Sequence, residues 1–336
     1  MAGTAGERAR DVLQGRSQPL TESLTAGAGR PSRRLLMIVN PYATTVSDRL
    51  RNLVVYALRG RYEVDAVDTE RRQHATEICR RAVADGYDLV VAFGGDGTVN
   101  EAANGLAGTS TPLSCLPGGR ANVFCRILGI PADIIDATEH LLALADDWRV
   151  CRVDLGRVNG RCFTFSAGVG LDAEVVANVD AHPRRKARFG EWYYASTAVW
   201  TFVRRYLSRP PRLEADLDGE PVPGATVIVQ NASPYTYFGE LPVRMAPRAS
   251  LTDGALGGVV LRRATPLVAP TIAWRALAPM TTVAGHRQIH AFAGLTRLTV
   301  RSLDGRPLPL QVDGDYIGSC RRADFDVLAA ALHVAA

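Results

Sequence analysis

Residues 88–106 read DLVVAFGGDGTVNEAANGL, an apolar run, then Gly94, Gly95, Asp96 and Gly97, then a segment of helical composition. An unbroken apolar run of this length is the pattern of a strand covered on both faces of a parallel sheet. The glycines that follow admit two readings. They are a plain tight turn, or they let the backbone approach an anion held by the unpaired N–H groups and positive dipole end of a helix. Asp96 does not favour a phosphate directly, so its roles are to hold a cation, order the turn, or polarise an acceptor hydroxyl.

The neighbouring segments repeat the same grammar. LLMIVN (35–40) is a short apolar strand ended by Asn40-Pro41, followed by a helix over 47–58 with apolar residues at helical spacing. A strand YEVDAVDT (62–69), a helix over 75–84, the strand of the opening stretch, a helix over 99–106, the strand PLSCLP (112–117) and the helical ANVFCRILG (121–129) follow in turn. Such alternation predicts a doubly wound α/β domain, in which ligands lie at the carboxyl ends of the strands. Asn40, Thr69, the glycine turn and Pro117-Gly118-Gly119 all fall at such ends. Beyond residue 150 short strands punctuated by Gly, Pro and Asp-Gly predict an antiparallel β-sandwich, interrupted by helical segments over 188–207 and 267–278. The expected division is a disordered leader over 1–33, an α/β domain over 34–150 completed by 321–336, and a β-sandwich over 151–320.

Composition excludes several classes. Net charge is +5 in 336 residues, and six arginines against three acids within residues 1–34 account for about +3 of it. The remainder is nearly balanced, which argues against a dedicated nucleic-acid binder. The six cysteines (79, 115, 125, 151, 162 and 320) show no CxxC and no zinc spacing, so reduced thiols are expected. Six histidines show no ligand spacing. No run approaches the roughly 18 apolar residues of a membrane span. After Arg33-Arg34 only five apolar residues precede Asn40-Pro41, too few for a twin-arginine signal. A cytoplasmic protein in peripheral contact with the inner face of the cell membrane is expected.

The combination GGDGTVNEAANGL, LPGGRANVFCRILGIP (116–131), GVGLDA (168–173), PYTYFGELPVRMAPRASLTDGAL (234–256) and VDGDYIG (312–318) resembles the diacylglycerol kinase catalytic domain family, which includes bacterial lipid kinases and sphingosine kinases. The resemblance runs in order through residues 34–336. It implies a nucleotide domain and a β-sandwich domain with the active site in the cleft between them. It also implies transfer of the γ-phosphoryl of ATP to the hydroxyl of diacylglycerol, with Mg²⁺. A sphingoid-base or other lipid-alcohol kinase is the alternative within enzymes. NAD kinases share a GGDGT turn but lack the later motifs in this order.

Residue by residue, the resemblance places Asn40, Thr69, Gly119, Arg120 and Asn122 at the nucleotide. It makes Gly94, Gly95, Asp96, Gly97, Thr98, Val99 and Asn100 the triphosphate loop. Asp253, with the carbonyl of Leu256, matches a structural Mg²⁺ position, and Asp313 and Asp315 match the acidic motif that supplies the general base. A lipid at the membrane surface is the implied partner, and a homodimer is compatible with the sequence. Arg120 stands where a small hydroxyl residue is usual, and Val123 where many bacterial members carry aspartate. A nucleotide- or lipid-binding pseudokinase is therefore the reading outside enzymes.

Plainer readings stand beside these. Asp313-Gly314 and Asp253-Gly254 each suit a hairpin turn, Asp172 suits a helix cap, and Asn104-Gly105 suits a helix stop. The basic and aromatic stretch HPRRKARFGEWYYASTAVWTFVRRYL (182–207) suits either a membrane-surface helix or a cover for the β domain.

Overall fold

The apolar strand starts build the centre of the molecule. In the computed structural model, which describes residues 33–180, 212–246, 249–263, 265, 268–277 and 283–336, β1 (Arg33–Val39) is buried from Leu35 onward. It is followed by α1 (Asp48–Leu58), β2 (Tyr62–Asp68), α2 (His74–Ala84), β3 (Leu89–Gly94), α3 (Asp96–Leu106), β4 (Leu113–Pro117), α4 (Val123–Ile127) and α5 (Ile134–Asp146). The strands lie in the order β2-β1-β3-β4, with β1–β3 and β3–β4 parallel. The chain leaves β1 toward one side and returns as β3 on the other, so a crevice opens at the carboxyl ends of β1 and β3. Such a switch point is where doubly wound sheets bind ligands.

The helices fit closely on this sheet. α1 is capped by Ser47, whose hydroxyl accepts from Leu50 N at 3.3 Å. Gln73 ahead of α2 makes no side-chain cap. The Glu101 carboxylate of α3 accepts from Gln73 N and Ala75 N at 2.7 and 3.2 Å instead. α3 begins at Asp96, three residues before its expected start. Asn104-Gly105 does not stop it, because the helix runs on to Leu106. Gly105 is required by packing instead, since a Cβ there would lie 2.7 Å from Thr76 O of α2.

The second half is antiparallel. β5 (Val150–Val158), β6 (Arg161–Phe163), β7 (Ser166–Gly170), α6 (Leu171–Asp180), β8 (Leu213–Leu217), β9 (Glu220–Gly224) and β10 (Thr226–Gln230) come first. Then come β11 (Thr236–Phe238), β12 (Leu241–Val243), β13 (Leu256–Leu261), α7 (Val268–Leu277), β14 (Ile289–Leu295), β15 (Arg297–Ser302), β16 (Leu308–Val312), β17 (Asp315–Cys320) and β18 (Arg322–Ala335). One sheet runs β14-β13-β10-β7-β16-β17. The facing layer extends the first sheet: β18 pairs parallel with β4 at Val334–Leu113, then antiparallel with β5 and β15, and β8 and β9 follow. Phe163, Val169, Val229, Val300 and Phe325 fill the core between the layers.

Residues 1–32 of the expected leader (1–33) and the whole basic, aromatic stretch 182–207 lie outside the described residues, while Arg33 opens β1. Asp172 sits inside the first turn of α6 rather than ahead of it. All six cysteines are free, with Cys79, Cys115, Cys125 and Cys162 buried.

Candidate active site

Main-chain bonds at the carboxyl edge knit the strand ends together. Asn40 N donates to Phe93 O (3.0 Å), Thr69 N to Val39 O (2.8 Å), Gly118 N to Gly94 O (2.9 Å) and Thr45 N to Gly118 O (3.2 Å). Asn40 also donates from Nδ2 to Thr98 Oγ1 at 3.2 Å, tying the loop after β1 to the first turn of α3. Gly94-Gly95 and Gly118-Gly119 lie back to back. A Cβ on Gly118 would stand 2.8 Å from Gly94 Cα, and one on Gly119 2.8 Å from Gly95 Cα. Glycine is demanded here by backbone proximity. Thr98 N and Val99 N of α3 donate to Gly95 O (3.0 and 3.2 Å), which leaves the N–H groups of Asp96 and Gly97 without an intrahelical acceptor at this rim, where they can serve as an anion cradle.

The second half of the chain supplies a carboxylate to that cradle. β16 and β17 are joined by a two-residue turn in which Asp313 (φ 47°) and Gly314 (φ 82°) both take left-handed backbone, and Val312 pairs with Asp315. Asp315 is half-buried. Its carboxylate lies against the Cα of Gly97, so that a Cβ on Gly97 would collide with Asp315 Oδ2. The hairpin thus presents Asp315 at the positive end of α3.

Asp313, two residues earlier, points into protein. Its Oδ2 accepts from Asn100 Nδ2 (2.7 Å), Thr164 N (2.7 Å) and Thr164 Oγ1 (2.9 Å), and its Oδ1 from Phe165 N (3.0 Å) and Ser166 N (3.1 Å). Burial pushes its pKa up while these donors pull it down. With both oxygens engaged and the residue 3% exposed, this carboxylate fastens the hairpin to the loop before β7. Its expected place as an acceptor-facing base is corrected on that ground.

Asp96 has a third environment. Its Oδ1 accepts from Phe124 N at 3.1 Å, at the start of α4. Burial raises its pKa to about 7; the Val123 and Phe124 N–H groups lower it, and the negative charges of Asp313 and Asp315 raise it further. Of the roles open to it in the sequence, ordering the turn is the one these contacts support.

Three more expected nucleotide contacts are corrected. Val99 is buried in the core of the α/β layer. Asn100 is buried between α3 and β6: its Nδ2 donates to Cys162 O at 3.0 Å as well as to Asp313, and its Oδ1 accepts from Arg161 Nη2 at 2.6 Å. The helical phase of α3 turns both side chains away from the rim. Asn122 closes its own loop, with Oδ1 accepting from Gly119 N (2.9 Å) and Nδ2 donating to Gly119 O (2.8 Å). Arg120 is exposed on that loop, at the rim.

The Thr252-Asp253-Gly254 turn is held by a residue that the sequence reading did not single out. Asp154, 4% exposed, accepts from Gly254 N through Oδ2 (2.6 Å) and from Ala330 N through Oδ1 (2.7 Å). A lone acid in the strand VDLG was the available signal. Asp253 itself is exposed, and Leu256 is buried in the sandwich core. Among the described residues no three His, Cys, Asp or Glu side chains converge as a metal site. Asp253 is the exposed carboxylate that this turn offers, and a Mg²⁺ held there would take most of its ligands from water. Arg126 was also missed. It stacks on Tyr237 (4.3 Å), donates to Gly239 O (3.1 Å) and pairs with Glu240 (2.7 Å), pinning the β11–β12 hairpin to α4.

Residues 34–158 match the family model described as the diacylglycerol kinase catalytic domain. The diacylglycerol kinase of Bacillus subtilis (strain 168) is 31% identical over 207 residues, which are 60% of this chain and 64% of that protein. The Staphylococcus haemolyticus diacylglycerol kinase is 28% identical over 64% of this chain and 62% of its own length. The chain thus matches less than two thirds of the length of these curated relatives. A crystallised Bacillus anthracis protein provisionally assigned as a diacylglycerol kinase superposes with a TM-score of 0.70 at 25% identity, covering 91% of this chain and 98% of that one.

Proposed function

We propose that this protein is a lipid kinase that transfers the γ-phosphoryl group of ATP, bound as its magnesium complex, to the hydroxyl of diacylglycerol to give phosphatidic acid. The observation that carries the reading is the Asp315 carboxylate lying against Gly97 at the N-terminus of α3. A proton acceptor and a phosphate cradle then share one rim. In the reaction, the acceptor hydroxyl oxygen bonds to the γ-phosphorus, the bond from that phosphorus to the β,γ-bridging oxygen breaks, and ADP leaves. The hydroxyl proton passes to Asp315.

In this account residues 34–150, completed by 321–336, bind the nucleotide, and residues 151–320 receive the lipid. Gly94, Gly95, Gly97, Gly118 and Gly119 bring backbone to the phosphates, with Asn40, Thr69, Thr98 and Arg120 around them. Asp96, Asn100, Asn122 and Asp313 position these loops rather than touch substrate. Magnesium bound to ATP would shield the phosphates from the carboxylates at the rim. Purified protein supplied with MgATP and a short-chain diacylglycerol is expected to release ADP and form the phosphorylated lipid in equal amounts. ATP turnover independent of any lipid alcohol, or no turnover at all, contradicts the proposal.

A further inference from the structure

β5 turns into β6 through Asn159 (φ 47°) and Gly160 (φ 85°), both in left-handed backbone, so that Val158 pairs with Arg161. The tip of this hairpin is tied to β18. Asn159 N donates to Asp324 O at 3.1 Å, and Asp324 N donates to Asn159 Oδ1 at 2.9 Å. The start of the Arg161 side chain is thereby fixed. Its guanidinium reaches α3, where Nη2 donates to Asn100 Oδ1 at 2.6 Å. Its Nε is buried without a hydrogen-bond partner. Arg157 on the same hairpin is taken up in a two-bond pair with Asp326 (2.8 and 2.5 Å), whereas Arg161 directs its charge to a neutral amide. That amide has one favourable orientation. Its Oδ1 faces two donors, Arg161 Nη2 and Asn104 Nδ2 (3.2 Å), and its Nδ2 faces two acceptors, Cys162 O (3.0 Å) and Asp313 Oδ2 (2.7 Å). Turned over, it would set NH₂ against both donors.

The far end of this relay carries chemistry. Every donor to Asp313 is uncharged: the Asn100 amide, the Thr164 hydroxyl and the Thr164, Phe165 and Ser166 N–H groups. Arg161 brings a cation one amide away from that enclosed carboxylate, and a charged donor on the Asn100 oxygen strengthens the bond on its nitrogen. Asp313 opens the two-residue turn across which Val312 pairs with Asp315, and the Asp315 carboxylate lies against Gly97 of the cradle. We propose that Arg161 is a positioning residue for phosphoryl transfer: through the Asn100 amide and Asp313 it holds the 312–315 hairpin where Asp315 meets the cradle. This rests on the lipid-kinase reading for the task it gives Asp315. Arg161 itself touches neither nucleotide nor acceptor. Its loss displaces the base slightly, and reaction rates fall steeply with such displacements.

A kinetic double-mutant cycle tests the proposal. With MgATP and a short-chain diacylglycerol, Arg161→Met is expected to lower kcat about tenfold and to leave the KM for ATP within about twofold of wild type. Arg161→Lys keeps the charge and the one donor in use, and is expected to recover most of the loss. On Asp315→Asn, Arg161→Met is expected to cost less than about twofold more, because the carboxylate it positions is gone. A kcat for folded Arg161→Met within about threefold of wild type, a loss carried by the KM for ATP, no recovery with lysine, or the full loss repeated on Asp315→Asn overturns the proposal. Should Arg161→Met not fold, Arg161→Gln takes its place throughout. It leaves a neutral donor, and is expected to lose at least about threefold alone and nothing further on Asp315→Asn. A second arm needs no turnover. The fall in urea midpoint caused by Arg161→Met is expected to shrink by about half or more on Asp313→Asn, which removes the charge it serves. Equal falls in the two backgrounds overturn the relay. Wild-type protein that phosphorylates no lipid counts against the kinase reading alone, since the urea arm stands without catalysis.

Discussion

Replacing Asp313 by alanine removes the acceptor for five donors at once: Asn100 Nδ2, Thr164 N, Thr164 Oγ1, Phe165 N and Ser166 N. Asn100, Thr164 and Ser166 are each 1% exposed, so bulk water does not replace the carboxylate without rearrangement. A buried donor left without an acceptor costs about 1–3 kcal/mol. A water entering the vacated volume and small shifts of the hairpin recover part of that sum. What remains is about 2–5 kcal/mol, a large share of the roughly 5–15 kcal/mol that holds a domain folded. Urea unfolding followed by tryptophan fluorescence and circular dichroism measures the loss directly. Asp313→Asn keeps an acceptor oxygen for some of the donors but points an NH₂ group at others, and falls between alanine and wild type. If Asp313→Ala unfolds within about 0.5 kcal/mol of wild type, the range of a neutral surface change, the clamp reasoning is refuted.

Three further outcomes follow from the same geometry. Asp96 titrates near 7 in the folded protein against an ordinary 3.8. The folded state therefore holds a proton that the unfolded state has lost between about pH 4 and 7, and stability falls as pH rises through that window, by at most about 4 kcal/mol. Asp96→Asn is expected to gain on wild type in urea melts as pH is raised from about 5 to about 8; a constant difference between them contradicts this. Gly118→Ala forces a Cβ against Gly94 Cα and Val46 Cγ2 (2.8 and 2.9 Å), which costs about 1–3 kcal/mol and raises the KM for ATP; an unchanged KM would remove the paired glycines from the cradle. Under native conditions a maleimide is expected to label exposed Cys151 first. Cys79, buried and with its thiol pushed up to about 12, stays unlabelled, and prompt reaction at Cys79 would show that the α2–α3 packing opens.

The fold was legible because burial on both faces writes unbroken apolar runs. LLMIVN and LVVAF announce central parallel strands, and they flank the switch point. The glycine pairs were legible as a rim feature, although their mutual contact across two loops was not, because nothing in either loop names the other. Asp313 and Asp315 carry the same side chain two positions apart, and sequence alone treats them alike. Only the left-handed turn and the Val312–Asp315 register decide that the first is enclosed and the second meets Gly97. Asn100 misled for a related reason: it lies next to the phosphate turn in sequence, but the helix rotates it toward β6. Arg126 gave no signal, since its partners lie more than a hundred residues away.

The most direct test of the account is the turnover number of Asp315→Asn with MgATP and a short-chain diacylglycerol. Loss of the proton acceptor is expected to lower kcat about 10²-fold or more, with the KM for ATP and the unfolding midpoint close to wild type, while folded Asp313→Asn keeps most of its turnover. A kcat for Asp315→Asn within about threefold of wild type, far inside the range general-base removal produces, would contradict the assignment of the acceptor proton to Asp315.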